Sequence, residues 1–274
     1  MLYTINPEGA YSIGVKVSRS SIEMRLIDFC GTLLEKIKFE ADCAEPALML
    51  DLIEKGIGEL ALKLSPRDFR KLVGVGITLP ESICKGKKEQ SLSDGYLRQR
   101  RDFSFVEELS KRTDFPVSSK NSGSAAAVAE LLFGHGIATS NFFYVLVDTV
   151  VDGALVLNGR LETRARDAFE GLASMPVPPS NLRSTPPVEG QFELLCNRAS
   201  LFGLYRHLNA NGIRIHSVSE LDAVMISSGS IVQEWLDDCA DALTYAILSA
   251  VGVLDLDAIV LDANLPPLLL VSAN

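Results

Sequence analysis

The chain reads as an α/β protein, and three stretches carry that reading. Tyr11–Val17, Ser21–Asp28 and Leu33–Glu40 are strand-like runs joined by tight connections at residues 18–20 and 29–32. The stretch 116–160, PVSSKNSGSAAAVAELLFGHGIATSNFFYVLVDTVVDGALVLNGR, reads as strand, small-residue helix, strand, turn and strand. Near the end, a long helical pattern over residues 231–251 is followed by LDAIVL at 256–261, a closing strand that suits parallel pairing.

Each element has a local cause. In the second strand Ile22, Met24 and Leu26 alternate with Glu23, Arg25 and Ile27, the period of a half-buried antiparallel strand. The run 45–64 is helical, with Pro46 acceptable in its first turn. Leu72–Leu79, LVGVGITL, is almost continuously apolar and suits a sheet centre, ending at Pro80. Residues 84–101 are charged and glycine-broken, a surface loop, and 103–112 form a short amphipathic helix. Ser124 is placed to cap a helix that closes at Gly134 and Gly136. Phe142–Val147 is a β-branched and aromatic strand, followed by a turn over 148–153, a further strand, and a turn at Asn158-Gly159. Residues 175–188 hold five prolines and are a loop. A helix is expected over 193–209, a second opening at 219–224, then the long one with Trp235, Ala242, Ala246 and Leu248 facing inward.

Composition excludes several classes. A net charge of −9 gives no basic face for a phosphate backbone, so the chain by itself is not a duplex-DNA or anionic-membrane binder. The densest basic runs, 85–88 and 98–101, are interrupted by Glu89 and Asp94. Five widely spaced cysteines (30, 43, 84, 196 and 239), with no C-x-x-C and three scattered histidines, imply reduced thiols rather than disulfides or a local zinc site. No apolar run reaches the ~20 residues of a membrane helix, and no signal sequence is apparent, so a soluble cytoplasmic protein is expected.

Two motifs resemble those of the repressor/open-reading-frame/kinase (ROK) family of sugar kinases and sugar-responsive repressors. The family's N-D-A-N-A-A-A-x-A-E aligns with Asn121-Ser122-Gly123-Ser124-Ala125-Ala126-Ala127-Val128-Ala129-Glu130. Its G-T-G-x-G-G-G-I-V-x-N-G aligns with Asp148-Thr149-Val150-Val151-Asp152-Gly153-Ala154-Leu155-Val156-Leu157-Asn158-Gly159. The resemblance implies a two-lobed actin/hexokinase-like (ribonuclease H-like) ATPase fold, with lobes over 1–121 and 122–274. The thirteen residues after Leu261 leave no room for the C-terminal helix that usually returns to the first lobe.

The frame agrees while the residues that carry chemistry do not. A ROK kinase needs phosphate-cradling glycines, a carboxylate base and polar groups that fix the sugar. The first phosphate loop, D-x-G-G-T, reads Lys16-Val17-Ser18-Arg19-Ser20, and the base falls on Ser122, whose hydroxyl does not accept a proton near neutral pH. Asp148, Val150 and Asp152 stand at glycine positions of the second loop, where carboxylates repel a triphosphate. The family's G-E-x-G-H falls on Glu170-Gly171-Leu172-Ala173-Ser174, and its zinc cysteines on Ser184, Pro186 and Gln191, so no zinc ligand survives. Asn121 and Glu193 keep the family's sugar-contacting identities, although Asn121 equally suits a backbone turn and Glu193 a helix start.

The implied ligand-binding set is Asn121, Ser122, Gly171, Ser174 and Glu193, with no catalytic residue, no cofactor and no metal. Residues 5–14, INPEGAYSIG, resemble the segment that joins the DNA-binding winged helix of family repressors to their sugar-binding region. The resemblance thus implies the effector-binding and dimerising region of a transcriptional regulator. It would take a sugar or sugar phosphate, pair as a homodimer through the second lobe, whose helices carry apolar positions such as Leu195, Leu201, Trp235 and Leu248 that a core can also absorb, and reach DNA only through a winged-helix module not present in this chain. A ROK-type sugar kinase and a purely oligomerising paralogue are the alternatives.

Overall fold

The computed structural model describes residues 4–18, 21–40, 46–79, 105–162, 171–215 and 220–266. The expected surface loop at 84–101 lies outside them. The chain divides into two compact units, the described part of the first ending at Asn121 and that of the second beginning at Ser122.

In the first unit β1 (Tyr11–Val17), β2 (Ser21–Asp28), β3 (Leu33–Glu40), β4 (Leu72–Leu79) and β5 (Val117–Asn121) form a five-stranded sheet in the order β3-β2-β1-β4-β5. The first three strands pair antiparallel; β1, β4 and β5 run parallel. Alternation sends Ile13, Val15, Ile22, Met24, Leu26, Val75 and Ile77 to one face, where Met49, Leu50, Ile53 and Leu60 of α1 (Pro46–Ala61) and Leu109 of α3 (Phe105–Ser110) cover them. The short α2 (Pro66–Phe69) is capped by Ser65, whose hydroxyl accepts from Asp68 N. The apolar run of β4 suits a strand covered on both faces, and the structure differs: β4 is central, yet Gly76 on its second face is exposed. Glycine at 74 and 76 leaves that face with nothing to bury.

The second unit is built on a four-stranded sheet, β11 (Ala258–Ala263), β6 (Phe142–Val147), β7 (Val151–Leu157) and β8 (Arg160–Leu161), in that order. β11 runs parallel to β6, as a closing strand should, but starts two residues later than its apolar run. Every residue of β6 is buried because both faces are covered. Phe142, Tyr144 and Leu146 pack with Ala127 of α4 (Ser122–Phe133) on one side. On the other, Phe143, Val145 and Val147 belong to a core with Leu195, Leu201, Leu204, Trp235, Ala242 and Ala246, from α5 (Leu195–Arg198), α6 (Leu201–Ala210) and α7 (Leu221–Val251).

Three expectations change here. The single helix over 193–209 is instead a two-residue strand β10 (Glu193–Leu194), which pairs with β9 (Pro176–Val177), and two helices broken at Ala199-Ser200, where Ser200 caps α6 through Gly203 N. The separate helices at 219–224 and 231–251 are one element kinked at Ser228. Leu195, Leu201 and Trp235 are at most 1% exposed and absorbed by the core of this unit, whereas Leu248, expected to face inward, points outward at 64%. Cores take such residues first, because burial within one chain carries no association cost.

The Asn158-Gly159 turn forms as the sequence predicts, with φ of 51° and 68°, the left-handed pair of a type I′ hairpin turn between β7 and β8. Asn158→Val should lower stability by about 1–2 kcal/mol in urea unfolding, because a β-branched residue resists this backbone region. Asn158→Gly should be nearly neutral in the same measurement.

Candidate functional site

Helix α4 begins at Ser122, two residues before the expected cap. Its opening is held from another strand: Asp152, in β7, accepts the Gly123 N–H through Oδ2 at 2.8 Å and the Gly153 N–H through Oδ1 at 2.8 Å. An anionic acceptor at a helix N-terminus satisfies an orphan donor and meets the positive end of the dipole. The aspartate that the sequence marks as repelling phosphate therefore occupies the helix start itself.

This arrangement explains a second departure from the motif. The family's alanine after N-D is Gly123 here, and a Cβ at that position would lie 2.6 Å from Gly153 N and 2.9 Å from the Asp152 carboxyl carbon. Glycine makes the room that the carboxylate uses. Burial pushes the Asp152 carboxyl above its ordinary 3.8; the two amides pull it down and the charge of Asp148 adds to the rise. Asp148 itself is tied into the loop, accepting from Thr149 N at 2.7 Å and from Asn264 Nδ2 at 3.1 Å.

The turn that carries Gly171 and Ser174 lies beside this cluster, since a Cβ on Gly153 would stand 2.6 Å from Leu172 Cδ2. Gly171 and Ser174 are exposed, while Leu172 and Ala173 between them are buried. The same turn leads to Glu193: Leu195 N donates to Met175 O, Cys196 N donates to Ala173 O, and Glu193 is the register partner of Val177. Ser122, Asp152, Gly171, Ser174 and Glu193 are thus on contiguous elements of the second unit. Asn121, the last residue of β5, is buried in the first unit.

Glu193 is 4% exposed. Its Oε2 accepts from Ser180 N at 2.6 Å, whereas Oε1 is buried with no hydrogen-bond partner among the described residues. A buried carboxylate oxygen left without a donor is unfavourable, and native structures rarely retain one that nothing uses.

The proline-rich segment, a loop by its sequence, is latched by side chains. Arg198, 2% exposed, forks onto Asp238 (Nε to Oδ2 3.1 Å, Nη2 to Oδ1 2.8 Å), reaches Asp241 at 2.9 Å, and donates through Nη1 to Pro178 O at 2.8 Å. Ser180 donates to Asp238 Oδ1 at 2.9 Å and accepts from Leu182 N and from Thr185 Oγ1. Ser184, at a zinc-cysteine position, lies 2.8 Å from His207 Nδ1, and His207 Nε2 stands 3.3 Å from the Glu234 carboxylate. Burial works against the Arg198 charge, but the bonds to Asp238 and Asp241 outweigh it and raise its pKa. The sequence carried one signal of this cluster: Asp238 falls on the stripe of α7 that buries Trp235, Cys239 and Ala242. Arg198 had no such signature.

The fold and this geometry define an actin/hexokinase-like protein of the sugar-kinase and repressor class. The ROK family model matches residues 12–266, and the chain belongs to the ROK family. An uncharacterised protein of Sinorhizobium fredii, y4fQ, is 25% identical over 260 residues; the match covers 93% of this chain and 61% of that protein, so the chain spans under two thirds of its relative. A ROK family glucokinase from Streptomyces griseus, solved with glucose and AMPPNP, superposes with a TM-score of 0.68 at 16% identity, covering 93% of this chain and 83% of the other. A ROK family transcriptional regulator, a homologue of the E. coli MLC protein, gives 0.64 at 19% identity, covering 93% and 66%. Kinases and a regulator therefore share this fold. Among the described residues no helix is long and apolar enough to cross a membrane.

Gly123→Ala should destabilise by about 1–3 kcal/mol in urea unfolding, because its Cβ overlaps the Gly153 backbone as well as the Asp152 carboxyl, so Asp152→Gly should not rescue it fully. The pH dependence tests the carboxyl. With its folded pKa raised, Asp152 contributes stability that is full below the ordinary 3.8 and lost as pH rises through the folded value. Acidification towards 3.8 should thus favour the wild type over Asp152→Asn, measured as a widening gap between their urea midpoints. Separately, Arg198→Met should cost about 3–5 kcal/mol by stranding Asp238, and adding Asp238→Leu should restore a large part of it.

Proposed function

We propose that this chain is the effector-binding and dimerising region of a sugar-responsive transcriptional regulator and does not phosphorylate sugars. The observation that carries the reading is Glu193, whose buried Oε1 has no donor. A sugar hydroxyl would supply one, with Ser174 on the neighbouring turn and Ser122 as further polar contacts. The absence of chemistry rests on the helix start: Ser122 is not a base, and the amide that opens α4 already holds the Asp152 carboxylate. DNA would be read by a winged-helix module outside residues 1–274, and ligand binding would change the spacing of two such readers in a homodimer. The exposed Tyr245, Leu248 and Val251 on the last turns of α7 offer that dimer an apolar face.

One observation favours a second reading. The Asp152 carboxylate, bonded to the amide next to Ser122, stands beside the position of the missing base, and burial raises its pKa towards that of a working base. A sugar kinase using Asp152 would then be the function.

A coupled ATP-consumption assay over a hexose panel separates the two. No turnover above the no-enzyme control is expected; turnover abolished by Asp152→Asn establishes the kinase instead. Calorimetry with hexoses and hexose phosphates should find a ligand whose affinity falls about tenfold or more in Glu193→Gln, the worth of one charge-assisted hydrogen bond. Sedimentation at micromolar concentration should give a dimer, and a monomer would remove that part of the proposal.

A further inference from the structure

Pro178, Pro179 and Ser180 follow β9 in the second unit. The two prolines have a fixed φ and no N–H, so Ser180 carries the first backbone donor after Val177. That amide donates to Glu193 Oε2 at 2.6 Å. Val177 is also the register partner of Glu193, so the glutamate is held at its backbone by β9 and at its carboxylate three residues later.

The segment that presents the amide is anchored on both sides of Pro179. Arg198 Nη1 donates to Pro178 O at 2.8 Å, and the Ser180 hydroxyl donates to Asp238 Oδ1 at 2.9 Å. Arg198 and Asp238 are themselves a buried, two-pronged ion pair. Such a pair resists displacement, because moving either member strands the other. The Ser180 oxygen meanwhile accepts from Leu182 N at 3.1 Å and from Thr185 Oγ1 at 3.2 Å. A hydroxyl has one hydrogen and two lone pairs, and all three are used here. The direction of the Ser180 amide is thereby set from α5 and α7 rather than by the loop alone.

The consequence falls on Glu193. A carboxylate free on both sides can hold two hydroxyls, one on each oxygen. With Oε2 closed by the amide, Oε1 is the oxygen left to meet a ligand. We infer that Ser180 is a positioning residue for ligand recognition: it occupies one oxygen of Glu193, directs the other to the ligand, and is itself held by Asp238 and Arg198. This role rests on Glu193 being a ligand contact and adds which oxygen is used and what aims it.

The test is calorimetry of the full chain with D-glucose, D-mannose, D-galactose and their 6-phosphates, the tightest binder serving as probe for the variants. Ser180→Ala keeps the amide but removes its anchor, and should weaken binding about fivefold or more. Ser180→Thr keeps a hydroxyl at the same place and should restore binding to within about twofold of the wild type. In a Glu193→Gln background Ser180→Ala should change affinity by less than about twofold, because a residue that acts only through Glu193 has nothing left to position. A general structural role would not give that pattern. Should Ser180→Ala lower the thermal melt, Ser180→Cys, which keeps the shape and weakens the hydrogen bond, takes its place in the cycle. Equal losses in the two backgrounds overturn the role of Ser180 and leave Glu193 as a ligand contact. Unchanged affinity in Ser180→Ala overturns it as well. Binding of none of these sugars by the wild type removes the ligand reading of Glu193, and the role of Ser180 with it.

Discussion

Arg198 holds together the part of the second unit that has little regular structure. It reaches the proline-rich segment at Pro178, the carboxylate and carbonyl of Asp238, and Asp241, while its own carbonyl accepts from the Trp235 indole at 3.1 Å. A buried guanidinium is tolerable only when its donors are met, and here Asp238 meets two of them in the fork geometry that arginine favours. Ser180 then extends the network from Asp238 to the backbone of Leu182, and its own amide fixes one oxygen of Glu193. The position of Glu193 is therefore a consequence of Arg198, five residues further along the chain. A charge-paired latch thus holds this region in place.

Charge is unevenly placed along the fold. α7 carries Asp222, Glu234, Asp237, Asp238 and Asp241 with no lysine or arginine, whereas the second face of the first sheet is cationic. The net value of −9 hides this segregation. Composition argues against a phosphate-binding protein on average, but register alone reveals where the cations gather, since four of the five strands contribute one or two of them and a sheet collects them into rows.

Much of the fold was legible because period and turn chemistry agree locally. The alternation Ile22, Met24, Leu26 and the Asn158-Gly159 turn each fix a conformation without help from the rest of the chain. The second unit's irregular half was less legible. Residues 193–209 have helical spacing, but pairing of Glu193 with Val177 across fifteen residues of proline-rich chain draws the first two into a strand, a tertiary preference invisible to periodicity. At the site, motif positions identified Ser122, Glu193 and Asp152 as departures or survivals. What Asp152 does was not readable, because it depends on Gly123, which is distant in sequence and adjacent in space.

The coupling of Gly123 to Asp152 also bears on descent. A chain with alanine at 123 sets a Cβ against the Gly153 backbone and the Asp152 carboxyl, and a chain with glycine at 152 leaves the first helix amide without its acceptor. Changing one position back towards the motif, with the other kept, passes through a form that is either overpacked or uncapped. The two residues therefore work as a ratchet. Each single substitution towards the motif leads downhill in stability, through backbone overlap at one position and a lost amide acceptor at the other.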